Sequence, residues 1–194
     1  MNGPEPIRLP TVVESRKLAE SWHVEIFEDI LQFGQNRTAP YWRLIVPDFA
    51  LAIGVREDGK IPLVKQYRHG AKRTFWEFPA GLVEKNETPL DCIKREFTEE
   101  TGHELIDPVL LSRFYPYASR SAQHAYIYSG RVGKDVGQRL DAVEELDVAF
   151  VDQDSILKLL SENISATHLL AYFLYQGPCR QPADKSATDK DISP

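Results

Sequence analysis

Cysteine is scarce: Cys92 and Cys179 are the only two in a chain of 194 residues. Two thiols cannot build a disulfide framework, and Cys92 falls within a predicted helix. Free thiols in a reducing compartment are the simpler account. Positive charge is not in excess either. The formal net charge is −6 and no local basic patch relieves it, which argues against binding to nucleic-acid phosphates. No apolar run approaches the length of a membrane span. The opening MNGPEPIRLP has neither a basic region nor an apolar core, so no secretory signal is expected there. Together these features predict a cytoplasmic protein with no nucleic-acid and no membrane partner. There is no internal repeat, and no D-x-D-x-D-G loop of the kind that holds structural calcium.

What the chain does have is a globular balance, 42% hydrophobic and 27% charged, in a length that suits one sizeable core and a small extra subdomain. Residues 1–10 carry three prolines and read as an irregular lead-in. Residues 22–33 (WHVEIFEDILQF) alternate as a strand, with a bend expected near Glu28-Asp29. A turn at Gln35-Asn36 leads to a returning strand over 41–46. Residues 49–55 form a more apolar strand, with Glu57-Asp58-Gly59 as a hairpin turn and 61–67 as its partner. Further strands are expected at 109–115, 125–131 and 146–151, with a polar loop over 116–124. Helices are expected at about 154–160 and 165–175, Ser165 being a candidate cap. Beyond Gly177-Pro178 the tail is polar, and disorder is expected over 178–194.

The most informative stretch is GLVEKNETPLDCIKREFTEETGH, residues 81–103. Thr88 can cap a helix, Pro89 suits its first position, and Asp91 favours the positive end of the dipole. Gly102 lies where a left-handed stop is wanted. Leu90, Ile93 and Phe97 share one helical stripe, while Glu96, Glu99 and Glu100 crowd an adjoining face. Exposed like-charge pairs cost only a few tenths of a kcal/mol, so a solvated acidic face with Arg95 as partial counterion is one account. A hard divalent cation is the other, since Mg²⁺ prefers carboxylate oxygens, water and phosphate.

These residues resemble the Nudix box, G-x5-E-x7-R-E-U-x-E-E-x-G-U with U a bulky aliphatic residue. All seven fixed identities are present: Gly81, Glu87, Arg95, Glu96, Glu99, Glu100 and Gly102. With each residue type at roughly one in twenty of average usage, chance agreement is very improbable. His103 at the last U and Phe97 at the first are departures that concern packing. The resemblance implies an α/β/α sandwich built on a mixed sheet. It also implies hydrolysis of a diphosphate bond with Mg²⁺, for which Mn²⁺ can substitute. By the same resemblance Glu96, Glu99, Glu100 and the carbonyl of Ala80 are metal ligands. Glu99 and Arg95 count with the catalytic group, Arg95 orienting the acids, while Glu87 ties the loop to the helix and Gly81 and Gly102 shape the box.

Ahead of the box, LVKQYRHGAKRTFWEFPAG resembles the ADP-ribose and nucleoside diphosphate sugar pyrophosphatase branch, through Gln66-Tyr67-Arg68 and Trp76-Glu77-Phe78-Pro79-Ala80-Gly81. Arg68 offers forked donors that fit a diphosphate, an ordinary surface arginine being the plainer alternative. Lys72 and Arg73 read better as a solvated basic loop. Pro116 lies thirteen residues past His103, near the position that marks ADP-ribose preference in some relatives, but the following YASRSAQH lacks the expected glycines. Base and sugar preference therefore stay open. In this branch N-terminal strands make a homodimer and line the nucleotide site. The resemblance thus divides the chain into a strand subdomain (1–47), a hydrolase domain (48–177) and a tail (178–194). Trp22, Tyr41 and Trp42 are candidates to stack on a base, or to pack at an interface, and Arg43 could reach a phosphate or a carboxylate. In this branch the general base often comes from a loop after the box strands, which implies LDAVEELDVAF here, with Glu144 as base or metal ligand and Glu145 beside it. Two solvated loop charges are the plainer alternative, and a base within the box would be Glu99. A non-catalytic nucleotide-sugar-binding module is the alternative. Such sensors often lose box acids, and this chain keeps them all.

Overall fold

In the computed structural model, residues 8–140, 145–163 and 165–177 are described. The chain divides into two compact units, one of residues 1–47 with 117–123, the other of residues 48–116 with 124–194.

The first unit is an antiparallel sheet of β1 (Thr11–Ser21), β2 (Val24–Phe33) and β3 (Arg37–Ile45), in that order. β1 was not expected from the sequence. All of its residues are exposed, so TVVESRKLAES shows no buried face for alternation to reveal. Backbone pairing holds it, with the exposed, solvent-screened cross-strand ion pairs Arg16–Glu28 (3.0 Å) and Lys17–Glu25 (3.2 Å) adding little. Trp22 starts no strand but sits in the β1–β2 turn. The bend expected at Glu28-Asp29 does not occur, because β2 is paired along both edges there. Buried Asp29 accepts from Arg43 Nε (2.6 Å) and from Ser15 Oγ (2.5 Å) on the flanking strands, and the Arg43 guanidinium holds its carboxyl below the usual range. Residues 117–123 join this unit through Leu44 N–H on Arg120 O (2.8 Å).

The second unit contains β4 (Phe49–Val55), β5 (Ile61–Arg68), β6 (Arg73–Glu77), β7 (Ala80–Leu82), α1 (Pro89–Thr101), β8 (His103–Phe114), β9 (Ala125–Asp135), β10 (Leu146–Val151), α2 (Gln153–Glu162) and α3 (Ala166–Gln176). Two sheets run in the orders β7-β4-β9-β8 and β10-β5-β6. The first is mixed, with β4 and β9 parallel. This is an α/β fold on a mixed sheet. The expected hairpin of 49–55 with 61–67 is not formed. The turn is present, with Arg56 N–H on Lys60 O (2.9 Å), yet β4 and β5 belong to different sheets. The reason is edge availability: β4 is already paired with β7 on one side and β9 on the other.

α1 packs Cys92, Ile93 and Phe97, all fully buried, against Ala50, Ala52 and Tyr128. Each large side chain so buried contributes about 1.5–3 kcal/mol. Phe97 fits because residue 54 is glycine: a Cβ there would stand 2.4 Å from its ring, closer than such contacts allow. A second apolar cluster joins Leu51, Ile53, Leu63, Phe78 and Ile127 to Ile156, Leu160, Ala171 and Tyr175 of α2 and α3. Ser165 occupies the N-cap position of α3, but its hydroxyl makes no capping bond. Among the described residues no helix is long and apolar enough to cross a membrane.

Candidate active site

The helix that carries the acids is fixed at both ends by local chemistry. Thr88 Oγ1 accepts from Asp91 N–H (3.1 Å) and donates to Asp91 Oδ2 (2.6 Å), with Pro89 at the first turn. Gly102 stops the helix in the left-handed region (φ 74°), its N–H on Thr98 O (2.9 Å). A side chain there would also press on Gln138, since a Cβ would lie 2.9 Å from Gln138 N. The last carbonyls of α1 are taken up by Gln138 Nε2 on Glu100 O (2.7 Å) and Arg139 N–H on Glu99 O (3.0 Å). His103 follows at once, its ring edge-on to Phe150 at 5.0 Å.

Against this helix lies the short strand β7. Glu100 is 3% exposed and accepts from Ala80 N–H at 3.0 Å. The Glu96 carboxylate rests on Gly81, where a Cβ would stand 1.9 Å from Oε1. Arg95 organises the remainder. Its Nε and Nη2 grip Glu87 (2.9 Å each), and its Nη1 bridges Glu96 Oε1 (2.7 Å) and Glu99 Oε2 (3.1 Å). These bonds, the one to Glu87 foremost, raise the guanidinium's pKa and lower that of Glu87. Glu87 also accepts from Glu84 N–H (3.0 Å), closing the loop before the helix. Cys92 is buried beneath, its thiol on Leu82 O (3.3 Å). Burial, with Glu87 and Glu96 nearby, pushes it up to about 12. It is therefore an inert thiol.

The donors gathered here, Glu96, Glu99, Glu100 and the β7 backbone, are all oxygens, the set a hard divalent cation prefers. Among the described residues no three acidic, imidazole or thiol groups already converge at ligand distances. Arg95 bridges Glu96 and Glu99, so in this arrangement both carboxylates are engaged by its guanidinium. The chemistry fits.

Arg68 is not simply a surface arginine. Its Nε (3.0 Å) and Nη2 (2.5 Å) both reach Oε2 of buried Glu77, while the side chain stays 44% exposed. Glu145 lines a cavity of about 620 Å³ with Lys65, Tyr67 and Thr74. Glu144 lies outside the described residues, as do Cys179 and the tail. Trp22, Trp42 and Arg43 belong to the first unit. Trp22 is 87% exposed, and Trp42 donates from Nε1 to Glu28 (3.1 Å). Arg43 is committed to Asp29 and stacks on Phe27 (4.7 Å). Sequence reasoning missed Tyr117 and Arg120, which line a cavity of about 340 Å³ with Trp42 and Leu44. Arg120 packs on Tyr41 (4.7 Å). An aromatic and an arginine in a long loop were the available signal. It also missed His168, whose Nδ1 accepts from Phe78 N–H (3.0 Å).

Gly81→Ala drives a methyl group into the Glu96 carboxylate. The expected result is a folded protein that binds Mn²⁺ at least about tenfold more weakly, the scale for a disturbed ligand support. Thermal melting and electron paramagnetic resonance titration check the two halves of that statement.

Comparison with known proteins follows the same lines. The family model described as NUDIX domain matches residues 48–173. An ADP-ribose pyrophosphatase of Bacillus subtilis (strain 168) is 32% identical over 116 residues, 59% of this chain and 63% of that protein. A methanol dehydrogenase activator of Bacillus methanolicus is 31% identical over 118 residues, 60% and 64% of the two chains. Each match thus spans a little under two thirds of the relative's length. A crystal structure of an ADP compounds hydrolase superposes with a TM-score of 0.77 at 20% identity, covering 89% of this chain and 95% of that one, which shows a shared fold. With the family model covering well over half of the chain, and with every fixed box residue on α1, in the segment leading into it or at its C-terminal stop, the protein belongs to the NUDIX domain family.

Proposed function

We propose that this protein is a metal-dependent hydrolase of ADP-ribose or a related nucleoside diphosphate sugar. Water adds across the P–O–P bridge and gives a nucleoside monophosphate and a sugar phosphate, AMP and ribose 5-phosphate in the case of ADP-ribose. The observation that carries the reading is the intact acidic face of α1 set against Ala80 and Gly81, with Glu100 buried on the Ala80 amide. Family membership and the name of the Bacillus subtilis relative support it. An intact set of box acids favours hydrolysis over a binding-only module.

Mg²⁺, with Mn²⁺ as substitute, is the cofactor that Glu96, Glu99, Glu100 and the Ala80 carbonyl would hold. Bound there it would neutralise diphosphate charge and acidify water. The other work belongs to side chains. Arg95 holds Glu96 and Glu99 from one side, so that their negative charge does not splay them apart. Arg68, steadied by Glu77, keeps an exposed guanidinium for a phosphate oxygen. Trp22 and Trp42 offer flat faces to a base, and Arg43 anchors their sheet. Glu144 is the proposed acceptor, at its carboxylate oxygen, of the proton from the attacking water. A homodimer through the first unit is supported by the exposed Val12, Val13 and Leu18 of β1 and Trp22 of the β1–β2 turn, which have little apolar cover of their own. A buried, uncombined thiol at Cys92 suits the cytoplasm.

Purified protein should release AMP from ADP-ribose or a close analogue with Mg²⁺, lose activity in excess chelator and recover it with Mg²⁺ or Mn²⁺. Full turnover in chelator would sink the reading. Glu144→Gln should lower kcat at least about a hundredfold with KM nearly unchanged, the scale of a lost general base. If Glu145→Gln is the damaging change instead, the base is its neighbour. Light scattering at micromolar concentration should give twice the chain mass of 22.1 kDa, and a monomer would contradict the assembly.

A further inference from the structure

The segment from Glu77 to Ala80, which joins β6 to β7, is tied at successive residues to three different elements. Phe78 N–H donates to Nδ1 of His168 on α3 (3.0 Å). Pro79 has no N–H, and its carbonyl accepts from Ala52 N–H on β4 (3.0 Å). Ala80 N–H donates to Oε2 of Glu100 on α1 (3.0 Å). The main chain beside the acidic face is therefore placed by bonds from a helix, a strand and a second helix, and only the last of these involves a box residue.

His168 is the unexpected member. In the apolar stretch ATHLLAYFLYQ a histidine would ordinarily be read as core filling, yet this ring is 5% exposed and has a definite polar task. Because Nδ1 accepts, the imidazole must be neutral and carry its proton on Nε2. That edge faces Oε1 of Glu77 at 3.9 Å, while Oε2 of the same carboxylate takes both bonds from Arg68. Burial pushes the imidazole down to about 4. Glu77 pulls the other way, and Arg68 adds to the effect of burial. Arg68 thus helps to keep Nδ1 unprotonated and able to accept. A chain of contacts runs from an exposed guanidinium, through two buried groups, to the backbone two residues before Ala80.

We propose that His168 is a positioning residue for the acidic site: it fixes the 77–80 segment, and with it Ala80, against Glu100, and Glu77 couples that hold to Arg68. The inference rests on the reading that the acidic face of α1 binds a divalent cation. It assigns His168 no contact with substrate.

The test uses the full chain, Mn²⁺ as probe and no substrate. Asparagine at 168 sets its carbonyl oxygen close to where Nδ1 stood, glutamine sets its amide nearer the place of Nε2, and leucine offers no acceptor. His168→Asn should bind Mn²⁺ within about twofold of the parent, whereas His168→Gln and His168→Leu should bind at least about fivefold more weakly while still melting cooperatively. Amide exchange at Phe78 should quicken in the same two variants and not in His168→Asn. A purely space-filling histidine would not sort the variants by where they carry an acceptor. A folded His168→Gln or His168→Leu with parental Mn²⁺ affinity overturns the proposal, and so does a His168→Asn as impaired as leucine. Should His168→Leu fail to fold, the asparagine and glutamine variants decide. A parent protein that binds no Mn²⁺ overturns the acidic-site reading itself, a result distinct from parental binding by a variant.

Discussion

Glu96, Glu99 and Glu100 are neighbours on one face of α1, and their mutual repulsion, together with the cost of taking any of them out of water, sets the conditions the rest of the second unit meets. Burying an ionised carboxylate without partners costs several kcal/mol. Glu100 escapes that cost through the Ala80 amide. Glu96 has room only because residue 81 lacks a side chain, and Arg95 supplies the cation that lets Glu96 and Glu99 stand close. Glu87 then holds Arg95 from its far edge, which stops the guanidinium from drifting to a better-solvated place. Each partner is satisfied by the next.

Such an arrangement needs a helix that does not move. Phe97 lies over Gly54 so closely that neither position tolerates added bulk, and Ile93 and Cys92 fill the space beside it. The cap at Thr88 and the left-handed stop at Gly102 define the length of the helix. Residues 136–139 then cover its last carbonyls. The first unit is built on the opposite balance. Its outer strand buries nothing and is held by the backbone ladder, and its buried carboxylate, Asp29, is ion-paired with the half-exposed Arg43. An apolar core specifies one unit, hydrogen bonding and charge the other.

Which parts were legible in advance follows from that difference. β4 and α1 could be read because burial imposes a period on the residue pattern: FALAIGV is a continuous apolar run, and Leu90, Ile93 and Phe97 recur at helical spacing. β1 could not, since a strand exposed on every residue imposes no period at all. The early start of β8, at His103, was hidden because Gly102 turns the chain straight from helix to strand with no intervening loop, and irregular register near Asp107 breaks the alternation. The separation of β4 from β5 was hidden for another reason. A hairpin turn is local, but which edge a strand finds vacant depends on strands far along the chain.

By itself the sequence determined the acidic helix: its caps, its apolar stripe and the placing of three carboxylates on one face are consequences of spacing alone, because helix geometry links residues only three or four apart. The family resemblance came from the same local pattern. Tertiary structure alone decided what those groups meet. That Arg68 is committed to Glu77, that Glu77 faces His168 from ninety-one residues away in the chain, and that Tyr117 and Arg120 come to Trp42 are results of long-range packing. No local period encodes a partner that distant. The burial that makes His168 neutral, and so able to hold the backbone beside the acids, exists only once the chain has closed around it.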